Sequence, residues 1–265
     1  MDVTLSGKIL LVTGSTQGVG EKVARLAIAS GAAGVLITGR SAERGEALAS
    51  ELGTDACPVE FIAADLADPA APELIAASAV SAFGRIDCLV NSAGLTDRAS
   101  LLDGTPALWE RLFAVNARAP FFLMQHAVAD MISRRAPGSI VNILSVNAHC
   151  GAPDLSIYSA SKGALSTLTR NVAHAHLPDR IRCNGINMGW ATTPGEHKMQ
   201  GETLGKGAGW VEEAAAGMPL KRLLTDDEVA QLTIFLLSDQ SGLMTGTLID
   251  MEQAVLGAPP RRVAN

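Results

Sequence analysis

The feature that most constrains this chain is an alternation: short runs rich in valine, isoleucine and leucine, each followed by a stretch with helical periodicity. Parallel strands cannot be joined by a tight turn, so an apolar run followed by a helical stretch is the sequence form of a strand–helix–strand crossover. Seven such runs occur, at 9–12, 35–38, 59–63, 88–91, 139–144, 182–187 and 247–250. Between them the periodicity predicts helices near 18–30, 42–52, 70–83, 105–134, 155–177 and 226–237, with Thr105-Pro106 and Thr225-Asp226-Asp227 as starts. Pro120 either kinks or divides the long helix 105–134. The expectation is an α/β fold: a doubly wound, seven-stranded parallel sheet with helices on both faces, forming a single domain over residues 1–265. With 48% hydrophobic and only 18% charged residues, the composition suits strands buried on both faces. Residues 190–218 break the alternation. They are glycine-rich, polar and longer than the usual strand-to-helix connection, and read either as a substrate lid or as a surface excursion. Residues 257–265 read as a C-terminal tail, frayed or packed on a neighbouring subunit.

Charge and targeting signals narrow the partners. A net charge of −6 with no basic segment argues against nucleic acid and against an anionic membrane surface. The start Met1-Asp2-Val3-Thr4 lacks the basic and apolar regions of a signal peptide, and no apolar stretch approaches the roughly 18 residues of a spanning helix, so a cytoplasmic location is expected. Cys57, Cys88, Cys150 and Cys183 form no CxxC pair and read as buried thiols. His174 and His176 point to different faces of a helix, so no metal site is expected.

The first strand runs into Thr13-Gly14-Ser15-Thr16-Gln17-Gly18-Val19-Gly20, where a helix begins. Glycines there allow a tight turn, close approach of a pyrophosphate and close helix packing, while the helix N-terminus offers unpaired N–H groups to an anion. The spacing differs from G-x-G-x-x-G, and a purely structural turn is the alternative. An NAD-specific site needs an acid about 20 residues further on. This chain has Gly39-Arg40-Ser41 there. A carboxylate ~4 Å from a 2′-phosphate would cost up to about 4 kcal/mol at an effective dielectric near 20. Arg40 instead offers a charge-assisted bond of roughly 1.5–3 kcal/mol. NADP is therefore expected over NAD, with a solvated surface arginine as the alternative reading. Asp65-Leu66 closes the third strand, where the carboxylate either receives an adenine amino group or caps a helix.

Tyr158-Ser159-Ala160-Ser161-Lys162 places a phenol and an ammonium at i, i+4 on one helix face. A phenol near pKa ~10 is a poor acid–base catalyst at neutral pH, and an adjacent ammonium together with a nicotinamide charge favours the phenolate. Tyr158 is the only tyrosine, so no other phenol competes for the role. Ser145 ends the fifth strand at the carboxyl edge, where open α/β sheets bind ligands, and its hydroxyl can bond the substrate oxygen. Asn116 lies within the helix that follows the fourth strand, where a buried amide is ordinarily a satisfied polar group.

The set TGxxxGxG at 13–20, NSAG at 91–94, Asn116, Ser145 and YxxxK at 158–162, in this order, resembles the short-chain dehydrogenase/reductase family, and the resemblance runs from about residue 5 to residue 250. It implies a Rossmann fold, hydride transfer between a nicotinamide cofactor and a carbonyl or alcohol carbon, and a catalytic tetrad of Asn116, Ser145, Tyr158 and Lys162. It also implies that Lys162 holds the nicotinamide ribose, that Asn116 supports a water-linked proton relay, that Thr193 meets the carboxamide, and that Asn91, Ala93, Gly94 and Gly189 border the cofactor. Three positions depart from the family pattern: Gln17 stands where many NADP-using relatives carry a basic residue, Met188-Gly189 replaces Pro-Gly, and Met251-Glu252 follows Asp250 in place of two glycines.

For the substrate, His149 just after Ser145 and Trp190 at the lid are the expected contacts, with Ser145 and Tyr158. They suggest a polar polyol, sugar or hydroxy compound. The lid sets Lys198 and Lys206 against Glu196, Glu202, Glu212 and Glu213, so reduction of a 3-oxoacyl group on an acidic carrier protein ranks second. A catalytically silent, cofactor-sensing protein is the alternative of a different class. The broad apolar faces of helices 105–134 and 155–177 predict a homodimer or homotetramer.

Overall fold

The computed structural model describes residues 3–258, so residues 259–265 of the expected tail lie outside the described residues. Seven strands, β1 (Ile9–Val12), β2 (Gly34–Gly39), β3 (Val59–Ala63), β4 (Cys88–Asn91), β5 (Gly138–Ile143), β6 (Ile181–Met188) and β7 (Leu248–Met251), pair in parallel in the order β3-β2-β1-β4-β5-β6-β7. β1 and β4 are buried throughout, whereas the edge strands β3 and β7 are partly exposed. This is the expected doubly wound sheet, each run within one residue of its expected bounds.

Side chains alternate across β1. Leu10 and Val12 pack with α1 (Gly18–Ala29), α2 (Ala42–Leu52) and α9 (Asp226–Leu237), while Leu11 packs with α3 (Ala71–Phe83), α5 (Ala119–Ser133) and α6 (Ser156–Ala175) on the other face. Each fully buried leucine or isoleucine in these two layers contributes roughly 1.5–3 kcal/mol. The Thr105 hydroxyl accepts the Leu108 N–H at 3.2 Å to start α4 (Pro106–Phe113), and Thr225 with Glu228 forms a reciprocal capping box on α9.

The long helix departs from expectation in an informative way. Pro120 does not divide it. The irregularity lies one turn earlier, where Ala114–Arg118 widens into a π turn and the Ala119 N–H reaches back to the Ala114 carbonyl. Proline has no N–H to give the Asn116 carbonyl and its ring crowds that group, and the widened turn makes room for it. Asn116 sits inside this turn.

The segment 190–218 is more ordered than its composition suggests. It contains α7 (Pro194–His197), a π turn over Lys198–Thr203 and α8 (Trp210–Gly217). The buried Trp210 stacks near Trp190, with ring centroids 6.1 Å apart, and donates its indole N–H to His197 at 3.2 Å. A bridge between Ala191 and Leu224 ties the two ends together. Among the described residues, no helix is long and apolar enough to cross a membrane, and no cluster of side chains could hold a metal ion.

Candidate active site

A cavity of about 910 Å³ opens across the carboxyl ends of the strands, around the point where the sheet order turns back between β1 and β4. Every strand contributes to its wall, from Gly14 after β1 to Glu252 after β7.

The glycine loop fits a pyrophosphate. A Cβ on Gly14, whose φ is +62°, would lie 2.7 Å from the Ala93 Cα, and one on Gly20 would lie 2.5 Å from the Gly14 carbonyl oxygen, so only glycine allows these approaches. Gln17 makes no side-chain cap, which leaves the first N–H groups of α1 to an anion. Thr16, Gln17, Gly18 and Val19 line the cavity. Ser15 does not: its hydroxyl donates to the Val12 carbonyl at 2.8 Å and accepts the Thr38 N–H at 2.9 Å, tying β1 to β2.

At the far end, Gly39 and the exposed Arg40 border the cavity, and Arg40 has no hydrogen bond or ion pair among the described residues. A second guanidinium, which sequence reasoning missed, stands beside it. Arg44 also lines the cavity and donates from Nη1 to Gln17 Oε1 at 3.0 Å. The signal was present as an i, i+4 pair of arginines, and Gln17, in place of a basic residue, draws that arginine to the loop. Ser41 lies behind the wall and caps α2 by accepting the Arg44 N–H. Asp65 and Leu66 border the cavity. The Asp65 carboxylate accepts the Ala67 N–H at 2.9 Å, closing a turn rather than capping α3, which starts at Ala71.

Ser145, Tyr158 and Lys162 form one wall, together with Gly94. Tyr158 is 7% and Lys162 4% exposed. Burial pushes the Tyr158 phenol above its ordinary range, its hydrogen bond with Ser145 works against that rise, and the Glu196 carboxylate adds to it. The lysine alone therefore does not depress the phenol as the i, i+4 spacing suggested. Its Nζ donates instead to the Ile143 carbonyl at 2.8 Å, and burial lowers its own pKa to about 8.

Asn116 stands behind this wall, not in it. Its Oδ1 accepts the Leu95 N–H at 2.9 Å, and its Nδ2 donates to the Leu95 carbonyl at 2.9 Å and the Ser161 hydroxyl at 3.0 Å. It clamps the loop after β4 to α6, holding Gly94 against Lys162. Asn91 likewise faces inward, donating to Asn142 at 2.8 Å, so among the NSAG residues it is Ser92, Ala93 and Gly94 that reach the cavity.

His149 corrects an expectation. It does not line the cavity but turns away to Asp250, with Nε2 3.0 Å from Oδ1, and to Asn187 at the carboxyl end of β6. Trp190, Gly189 and Thr193 do line it, and the Thr193 hydroxyl accepts the Glu196 N–H at 3.1 Å to start α7. Glu252 reaches the cavity because Gly189 has no Cβ; one there would lie 2.5 Å from Glu252 Oε2. Of the cysteines, Cys57, Cys88 and Cys183 are buried as expected, and Cys150 is exposed.

Comparison with known proteins gives the chain a family. A family model described as enoyl-(acyl carrier protein) reductase matches residues 14–253. The chain is 33% identical to the L-xylulose reductase of Bos taurus over 97% of this chain and 99% of that one. It is 32% identical to a 3-oxoacyl-[acyl-carrier-protein] reductase of Thermotoga maritima over 94% and 97% of the two chains. Among solved structures, the L-sorbose reductase of Gluconobacter frateurii, complexed with NADPH and L-sorbose, superposes with a TM-score of 0.90 at 27% identity, covering 98% of this chain and 100% of that one.

Proposed function

The chain belongs to the short-chain dehydrogenase/reductase family of oxidoreductases acting on alcohol and carbonyl groups, and from that premise we propose that it transfers a hydride between NADP(H) and a carbonyl or secondary alcohol of a hydroxylated small molecule, such as a polyol or sugar, with Tyr158 as general acid and base. The observation that carries this reading is the shared wall of Ser145, Tyr158 and Lys162, in one cavity with the glycine loop, the unpaired Arg40 and the Gln17-bonded Arg44.

The nicotinamide, when bound, supplies or receives the hydride. Ser145 and Tyr158 hold the substrate oxygen between their hydroxyls. In reduction the phenol gives its proton to that oxygen as negative charge develops there, and the Ser145 hydroxyl bonds the phenolate left behind. Lys162, titrating near neutrality, sits where it can steady that charge, while Asn116 acts from behind the wall by holding the loop after β4 to α6. Because burial raises the phenol, reduction keeps its proton donor to alkaline pH and fails as pH rises past the Tyr158 pKa. Arg40 and Arg44 would receive the 2′-phosphate that separates NADP from NAD. The partly exposed Trp109, Phe121 and Phe122 on α4 and α5 support assembly as a homodimer or homotetramer.

Relatives named for L-xylulose and L-sorbose favour a sugar-like substrate. A relative named for a 3-oxoacyl carrier keeps that activity second, since Glu196 and Glu252 face Lys206, whose ammonium is 5.9 Å from the Trp190 ring centroid, and this mixed wall offers no basic docking surface for an acidic carrier. A silent sensor would have no use for a lysine buried at the expense of its charge. The test is consumption of NADPH and NADH with a ketopentose, 2-pentanone and an acetoacetyl thioester. Turnover of the ketopentose with NADPH is expected. Cofactor binding without turnover of any substrate would favour the sensor, and preference for NADH would overturn the role given to the arginines.

A further inference from the structure

The lid brings a built polar site to the substrate side of the cavity. Glu196 Oε1 accepts two hydrogen bonds, from Trp190 Nε1 at 2.9 Å and from Gln200 Nε2 at 2.7 Å. Two donors on one oxygen fix the carboxylate and leave Oε2 for a further partner. Its charge is felt at Tyr158, so it lies within electrostatic reach of the reacting oxygen. Two more residues of the same cavity carry a buried atom without a partner. Gln200 is 2% exposed, and its Oε1, an acceptor, is unpaired; Arg98 Nε, a donor, is unpaired although Arg98 Nη1 holds Asp154 at 2.7 Å. Both residues line the cavity. A buried polar group left alone is costly, so such atoms await partners from a ligand.

Resting on the hydride-transfer reading above, we propose that Glu196, oriented by Trp190 and Gln200, is the specificity-determining residue, accepting a hydrogen bond from a hydroxyl on the substrate beside its reacting carbon. Gln200 Oε1 and Arg98 Nε meet further hydroxyl groups. The substrate so selected is a neutral polyhydroxylated ketone or alcohol. Hydroxy acids are disfavoured beside Glu196 itself, because a substrate carboxylate there would repel it and has no donor to offer; the other charged groups on this side, Glu252, Lys206, Lys162 and the paired Arg98 and Arg111, are of mixed sign. An unfunctionalised ketone or acyl thioester offers no donor on its reacting part for Glu196 Oε2 or Gln200 Oε1 and leaves both acceptors unmet.

The experiment is a substrate comparison on the full-length enzyme with saturating NADPH, using a ketopentose, 2-pentanone and an acetoacetyl thioester. Wild type should reduce the ketopentose best, and Glu196→Gln should lower the ratio of its kcat/KM to that of 2-pentanone by about tenfold or more. Trp190→Phe, which keeps an aromatic ring and removes the N–H, should shift the same ratio in the same direction by less, and serves if the glutamine variant does not fold. Because Glu196 raises the Tyr158 pKa, the alkaline limb of ketopentose reduction should move to lower pH in Glu196→Gln; a residue that only packs the lid would not move it. An equal fall for both ketones, or an unchanged ratio, overturns the assignment while leaving the hydride-transfer reading intact. Wild-type turnover of the thioester alone overturns the assignment and the sugar-like substrate class, and cofactor binding without turnover of any of the three overturns the hydride-transfer reading.

Discussion

Arg40→Ala isolates the contact on which cofactor choice turns. Arg40 is exposed, lies at the rim of the cavity and spends no hydrogen bond on the described chain, so its whole guanidinium is free for a ligand. A charge-assisted bond from such a group is worth roughly 1.5–3 kcal/mol, which corresponds to about 10- to 150-fold in affinity. Solvent screening at the rim favours the lower part of that range. Arg44 is already bonded to Gln17 and has less to give, so Arg44→Ala should cost about three- to tenfold. Titrating each variant with NADPH and NADH, followed by quenching of tryptophan emission, separates the 2′-phosphate term from the rest of the site. NADPH should weaken by these factors and NADH by less than about twofold, and raising salt should narrow the wild-type preference for NADPH. Equal weakening of both cofactors by Arg40→Ala would refute the reasoning, because it would make Arg40 a support of α2 and not a reader of the phosphate.

The buried lysine predicts a conflict between stability and function. Its folded pKa of about 8 lies below the ordinary 10.5, so below pH 8 the cofactor-free fold carries a buried ammonium at about 3 kcal/mol, relieved as pH climbs from 8 to 10.5 because the unfolded chain then holds the proton more tightly. Part of that cost is offset by the bond to Ile143, so Lys162→Met should abolish turnover yet melt a few degrees higher at pH 7, with the gap closing by pH 10; a pH-independent gap contradicts this. Gly20→Ala places a Cβ 2.5 Å from the Gly14 carbonyl oxygen, so NADPH binding should fall by more than about tenfold, whereas Gly217→Ala, with open space around it, should leave binding unchanged in the same titration.

What the sequence disclosed and what it withheld follow from the range of the forces involved. Strand runs and helix caps are local, and the runs at 9–12 and 88–91 coincide with β1 and β4 because burial on both faces leaves no other pattern. The glycine loop was legible because its residues answer to backbone sterics a few positions away. Long-range placement was not. His149 follows Ser145 by four residues, yet Asp250 and Asn187, distant in sequence, turn it from the cavity. Asn116 reads as catalytic by resemblance, while its side chain is consumed in clamping Leu95 and Ser161. Glu196 counted only as one lid charge until the fold set Trp190 and Gln200 on either side of it. The Pro120 signal was read in the right helix, but its effect appears one turn upstream, where a carbonyl lost its partner and not where the ring sits.

The account rests most directly on Tyr158. Reduction of a ketopentose by NADPH should be measured for the wild type and for Tyr158→Phe, with NADPH affinity followed in parallel. The phenyl ring keeps the packing of the buried side chain and removes only the hydroxyl. The account predicts that turnover falls by at least about 10²–10⁴-fold, the usual worth of a positioned acid, while NADPH binds within about threefold of wild type. A phenylalanine variant that turns over at the wild-type rate would contradict it.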